Sequence, residues 1–90
     1  MFGERCVSAA SLSTSAGIFY FHIYSSNGPV SPVYRWECHT DFCTYRVRSG
    51  VFATYSGALC RADRERCFFA EMWQTSEGMP WTVLRDEAAA

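Results

Sequence analysis

Ninety residues, 49% hydrophobic and 17% aromatic, can build one packed core but not two, and this composition excludes a disordered chain. Eight basic residues against nine acidic ones give a formal net charge of −1, so the chain as a whole has no general attraction for polyphosphate. Every basic residue is arginine, which leaves no lysine for Schiff-base or P-loop chemistry.

No stretch has the length of a membrane-spanning helix. The segment Cys6 to Leu12 is broken by serines and is too weak for the apolar part of a signal peptide. The cysteines are Cys6, Cys38, Cys43, Cys60 and Cys67, an odd number that complete pairing cannot accommodate. Together these features predict a soluble cytoplasmic protein with reduced, mostly buried thiols.

Residues 2–14 read as a short N-terminal helix or loose arm, with Val7, Ala10 and Leu12 as its apolar side and the serines weakening it. Residues 13–17 are a connector. Ile18 to Tyr24 is continuously apolar or aromatic, which predicts an interior strand covered on both faces. Within it, His22 between Tyr20 and Tyr24 is expected to be a hydrogen-bonded core histidine. Residues 25–32 hold Asn27-Gly28, Pro29 and Pro32 and form a turn-rich loop.

The segment from Tyr34 to Arg48 has the clearest pattern. Read as a hairpin turning at Thr40-Asp41, it puts Tyr34, Trp36, Cys38, Cys43, Tyr45 and Val47 on one face. Arg35, Glu37, Thr44 and Arg46 fall on the other. Such a division is what a half-buried antiparallel pair requires.

Beyond it, Arg48-Ser49-Gly50 is expected to be a second hairpin connection leading into a strand through Val51, Ala53, Tyr55 and Leu59. Gly57 disfavours a helix there. The rival is a helix over about 51–62, because Val51, Phe52, Tyr55, Ala58, Leu59 and Ala62 also follow helical spacing. Residues 62–65 make a charged turn, 66–75 a strand, and 81–85 a last edge strand after Pro80. Residues 86–90 are expected to fray.

The sum is a single domain over 1–90, mainly β. It is an antiparallel meander of five or six strands, as a small barrel or a curled sheet, with a short N-terminal helix or arm. The alternative is α+β with a helix at about 51–62.

Two surfaces are candidates for binding. Phe69 and Trp73 project from the outer face in this reading, and Arg35, Arg46 and Arg48 line the polar face of the hairpin; aromatic and arginine side chains dominate protein interfaces. A zinc site would have to use Cys38, Cys43, Cys60 and Cys67. The Cys60–Cys67 spacing is too long for a knuckle, and the register sends the two pairs to opposite faces, so no metal or other cofactor is expected.

Cys43, His39 and Asp41 are neighbours around one turn without a catalytic geometry, and Glu37 and Glu71 read as solvated carboxylates. No phosphate loop, nucleophile elbow or zinc-protease helix is present. Arg48 to Tyr55 echoes an RNA-recognition motif, but Gly50 occupies the place of a required aromatic.

The expectation is therefore a binding module without catalytic activity, whose partner is another protein or a second copy in a homodimer. The alternatives are a small-molecule-binding β-barrel and a nucleic-acid or zinc module.

Overall fold

The computed structural model describes residues 3–84. The expected fraying of 86–90 and the end of the last predicted strand lie outside them. Among the described residues, five antiparallel strands form one open sheet and one helix packs on it, a mainly β meander with a helix. The strands are β1 (Arg5–Ser13), β2 (Ile18–Asn27), β3 (Pro32–Thr40), β4 (Arg46–Arg48) and β5 (Thr82–Val83), and the helix is α1 (Tyr55–Met72). Their order across the sheet is β4-β3-β2-β1-β5, so β5 returns to the far edge beside β1. The sheet does not close into a barrel.

Strand β2 takes the central place that its apolar sequence predicts. Its odd positions Phe19, Phe21 and Ile23 face the helix and are buried. They stand opposite Leu12, Ala10 and Ser8 of β1 and Thr40, Cys38 and Trp36 of β3, all buried on the same side.

The N-terminal segment is thus a strand, and the expected helix or arm is overturned. Its alternation of Ser8, Ala10 and Leu12 is that of a strand with one buried face. Ser8 is accommodated because its hydroxyl donates to the Thr82 carbonyl at 3.1 Å and lies 3.1 Å from the Tyr55 hydroxyl.

The β3–β4 pairing keeps the predicted faces but not the predicted turn. Cys38 pairs with Val47 and Glu37 with Arg48, so residues 41–45 form a longer connection. Asp41 cannot serve in a two-residue turn because its carboxylate accepts from the Ile18 N–H at 2.8 Å. The Thr40 hydroxyl donates to the Cys43 carbonyl, and Phe42 packs edge-on against Phe19. Cys43 is consequently exposed instead of facing the core, while Tyr45 and Val47 do pack on it.

Arg48-Ser49-Gly50 does not reverse the chain. Ser49 is bonded to Trp36 twice, N–H to carbonyl at 2.9 Å and Trp36 N–H to Ser49 Oγ at 2.8 Å, which keeps the segment running beside β3 as far as Phe52, opposite Tyr34.

The helical rival is the correct one, and it extends further than expected. The strands predicted near 51–59 and at 66–75 are replaced by α1, which begins after Thr54. The Thr54 side chain accepts from the Gly57 N–H at 3.0 Å, so Gly57 belongs to the cap and does not break the helix.

Ala58 and Ala62 are fully buried and bring the helix close to the sheet, with Phe69 one to two turns further on. The helix ends with Gln74 at φ 52° and with the Thr75 N–H donating to the Ala70 carbonyl, a left-handed C-terminal cap. Residues 75–84 then run back along β1. The Ser13 and Ser11 N–H groups donate to the Glu77 and Met79 carbonyls, and the Leu84 N–H donates to that of Val7. Arg66 fastens helix to strand by donating to the carbonyls of Ser11 and Met79, and Trp81 donates its indole N–H to Asp63 at 2.9 Å.

Candidate functional site

One helix covers one face of the sheet, and no described element lies over the other. That second face carries the even positions of β2, namely Tyr20, His22 and Tyr24. Their directly paired neighbours are Ser11, Ala9 and Cys6 of β1 and His39, Glu37 and Arg35 of β3. Arg46 and Arg48 of β4 complete it, opposite His39 and Glu37. The solvent side of an antiparallel sheet is ordinarily polar. Here its middle is aromatic.

The rings form a continuous row. Tyr20 stacks on His39 at 5.2 Å, His39 on His22 at 5.7 Å with planes 11° apart, and His22 lies 6.0 Å from Tyr24. The Arg35 guanidinium closes the row 4.6 Å above the Tyr24 ring. The Tyr20, His39 and His22 rings are stacked, and Tyr24 is tilted 37° from His22. The buried Nδ1 atoms of His22 and His39 have no hydrogen-bond partner. His22 is held below the ordinary imidazole value, first by desolvation and then by His39, with Glu37 pulling weakly the other way.

At the Arg35 end lies an ion cluster. Glu37 is buried and accepts from Arg35 and from Arg46 at 3.1 Å, with Arg48 at 3.7 Å, while Arg35 also pairs with Glu4. Burial alone would raise the Glu37 carboxyl, but the Arg35 hydrogen bond and the three guanidinium charges together hold it below its usual value. At the Tyr20 end lies an apolar groove of about 280 Å³, walled by Ala9, Ser11, Tyr20, His22, Met79 and Leu84.

Of the residues singled out from sequence, Arg35, Arg46 and Arg48 are brought together on this face. Phe69 and Trp73 are not. Phe69 is buried and stacks on Phe19 at 4.5 Å, and Trp73 packs edge-on against Phe19 and Phe42. The outward placement of both is overturned because they belong to a helix and not to a strand.

The expected coverage of β2 on both faces is also overturned, and with it the place of His22 as a core histidine. Strand alternation had a signal for this: Phe19, Phe21 and Ile23 are wholly apolar, whereas Tyr20, His22 and Tyr24 all carry a polar tip suited to a half-wet surface.

Cys38 is buried in the core, while Cys43 is on the 41–45 connection and Cys60 and Cys67 are exposed on the helix. Among the described residues no three His, Cys, Asp or Glu side chains are grouped to hold a metal ion. His39 and Asp41 are engaged separately, by the ring row and by Ile18, and Cys43 lies 3.2 Å from the Thr40 hydroxyl.

Among the described residues no helix is long and apolar enough to cross a membrane. No protein-family model, curated protein sequence or solved structure matches the chain.

Proposed function

We propose that the protein is a binding module without chemistry of its own, and that its uncovered sheet face pairs with the same face of a second copy. The observation that supports this most directly is the aromatic row from Tyr20 to Tyr24 across a face with no described element over it.

The extent of the face fits such a partner. Three strands of nine or ten residues about 4.8 Å apart, with the short β4 and β5 beside them, give a projected area of roughly 500 Å². With side-chain relief, that approaches the ~800 Å² per partner of a specific interface. The sheet edges offer less, because β4 has three residues and β5 two.

The charges also favour a protein over a nucleic acid. The three arginines of the face meet two carboxylates, and the ring faces that a base would stack on are occupied by one another.

A two-fold axis through the His22–His39 pair brings the Tyr20 end of one row to the Arg35 end of the other. This keeps the arginine clusters apart. Sedimentation equilibrium at pH 8 and tens of micromolar is expected to give twice the 10.2 kDa chain mass. Ala9→Arg, which puts a charge in the groove, is expected to give the monomer, while Phe68→Arg on the exposed side of the helix leaves the mass unchanged. A wild-type monomer at 100 μM refutes the proposal.

A further inference from the structure

Resting on that self-association, we infer that the His22–His39 pair makes the assembly acid-sensitive: two copies join at neutral pH and separate, still folded, as the imidazoles take up protons. The axis that relates the copies passes through this pair, so a dimer gathers four imidazoles at its centre.

Each pair is already parallel at 5.7 Å, and each Nδ1 is buried without an acceptor. A proton on either ring therefore produces an unsatisfied buried donor, and protons on both produce like charges in contact. Closing a second copy over the pair removes the remaining water and increases both penalties.

The groups that face the pair do not cancel this. On β2 they are Tyr20 and Tyr24, and on β1 Cys6, the side-chain neighbour of Tyr24. Burial raises the Tyr24 and Cys6 values, so both stay neutral in acid. On β3, Glu37 is opposite His22, but its charge is committed to Arg35, Arg46 and Arg48. On β4, Arg46 is opposite His39 and adds a positive neighbour. Among the described residues the β5 side brings the uncharged Thr82, paired with Ala9, together with Met79 and Leu84, and α1 lies under the other face.

Glu37 and Glu4 are both held below the usual carboxylate range by their arginines, so both stay charged in mild acid.

The sign follows from linkage. His22 titrates below the ordinary imidazole value in the free chain and lower still when covered. Association is therefore at full strength above that free value and is lost as pH falls below it. The two copies of His22 weaken the dimer by about 100-fold in Kd per pH unit in that range.

The test compares sedimentation of the wild type and of His22→Gln/His39→Gln at pH 7.5 and 5.0, with far-UV circular dichroism confirming the fold at both. The wild type is expected to be a dimer at 7.5 and a folded monomer at 5.0, with the double variant dimeric at both. A wild type dimeric at both values overturns the acid switch and leaves self-association standing. A wild type monomeric at both overturns the two together. A double variant that separates in acid as the wild type does assigns the effect to other groups and overturns the inference.

If the double variant does not associate at all, imidazole proton resonances decide. His22 must titrate at lower pH in the wild-type dimer than in the Ala9→Arg monomer, and equal midpoints overturn the inference.

Discussion

Replacing Phe69 by alanine, beside a matched replacement of Phe68, tests the phase of the helix on the sheet. The two side chains are adjacent in sequence and about 100° apart around the helix. Phe69 is 9% exposed and stacks on Phe19 at 4.5 Å, with Tyr45 edge-on at 5.6 Å. Phe68 is 54% exposed and touches chiefly Phe69 itself.

Deleting a buried phenyl ring costs about 3–5 kcal/mol through lost transfer energy and the cavity left behind. This site is at a helix–sheet seam that can partly close, which places Phe69→Ala at about 3–4 kcal/mol. A chain of this size has roughly 5–13 kcal/mol of total stability, so the loss corresponds to about 12–30 °C in Tm. Phe68→Ala leaves no cavity and should cost about 1 kcal/mol or less.

Urea unfolding followed by circular dichroism, at one protein concentration so that the proposed association adds equally to each variant, measures both. Equal losses, or a larger loss from Phe68→Ala, refute the packing of α1 described above.

Two further outcomes follow from local geometry. Gly78 has φ 128°, and a Cβ there would lie 2.4 Å from the Ser11 carbonyl oxygen and 2.9 Å from the Leu12 Cα. Gly78→Ala is expected to cost about 2–4 kcal/mol, whereas Gly50→Ala, with nothing within 4 Å, changes stability by about 1 kcal/mol or less; similar unfolding midpoints for the two would contradict this.

In native thiol labelling at pH 8 read by mass spectrometry, the exposed Cys43, Cys60 and Cys67 should react first, with Cys67 behind Cys60 because desolvation and the Asp63 carboxylate raise its thiol. Cys38, pushed up to about 12 chiefly by burial, should label only on unfolding, and its modification in the folded protein at the rate of Cys60 would contradict the buried position.

The pleated middle of the chain was legible because alternation there is strict. Trp36, Cys38 and Val47 against Arg35, Glu37, Arg46 and Arg48 can satisfy only one register parity, and the structure keeps it although the turn is longer.

The helix was obscured by its own exposed side. Cys60, Cys67, Phe68 and Met72 are apolar and face solvent, so the contrast that marks an amphipathic helix is blurred and 66–75 imitates a strand. Thr54 as a cap and the Ala58–Ala62 spacing carried the signal, and Gly57 masked it.

The first strand was obscured in the opposite way. Serine and alanine are weak strand formers, and only Ser8, Ala10 and Leu12 of β1 are buried, so the segment lacks the apolar residues that mark a strand. The candidate site suffered from both errors. With 66–75 read as a strand, Phe69 and Trp73 pointed outward, and with β2 read as doubly covered, Tyr20, His22 and Tyr24 were assigned to the interior.

The place of β5 beside β1 has a kinetic consequence. The Ser8 hydroxyl meets the Thr82 carbonyl across 74 positions of chain, so this contact closes a far larger loop than either hairpin joining β1 to β2 and β2 to β3. Those hairpins can zip locally, and the helix can settle on them, before the last segment finds its rail along β1. That late-arriving segment supplies Met79 and Leu84 to the groove wall. The groove on the face proposed to bind is therefore the last part of the molecule to be finished, which on that proposal makes association wait for completion of folding.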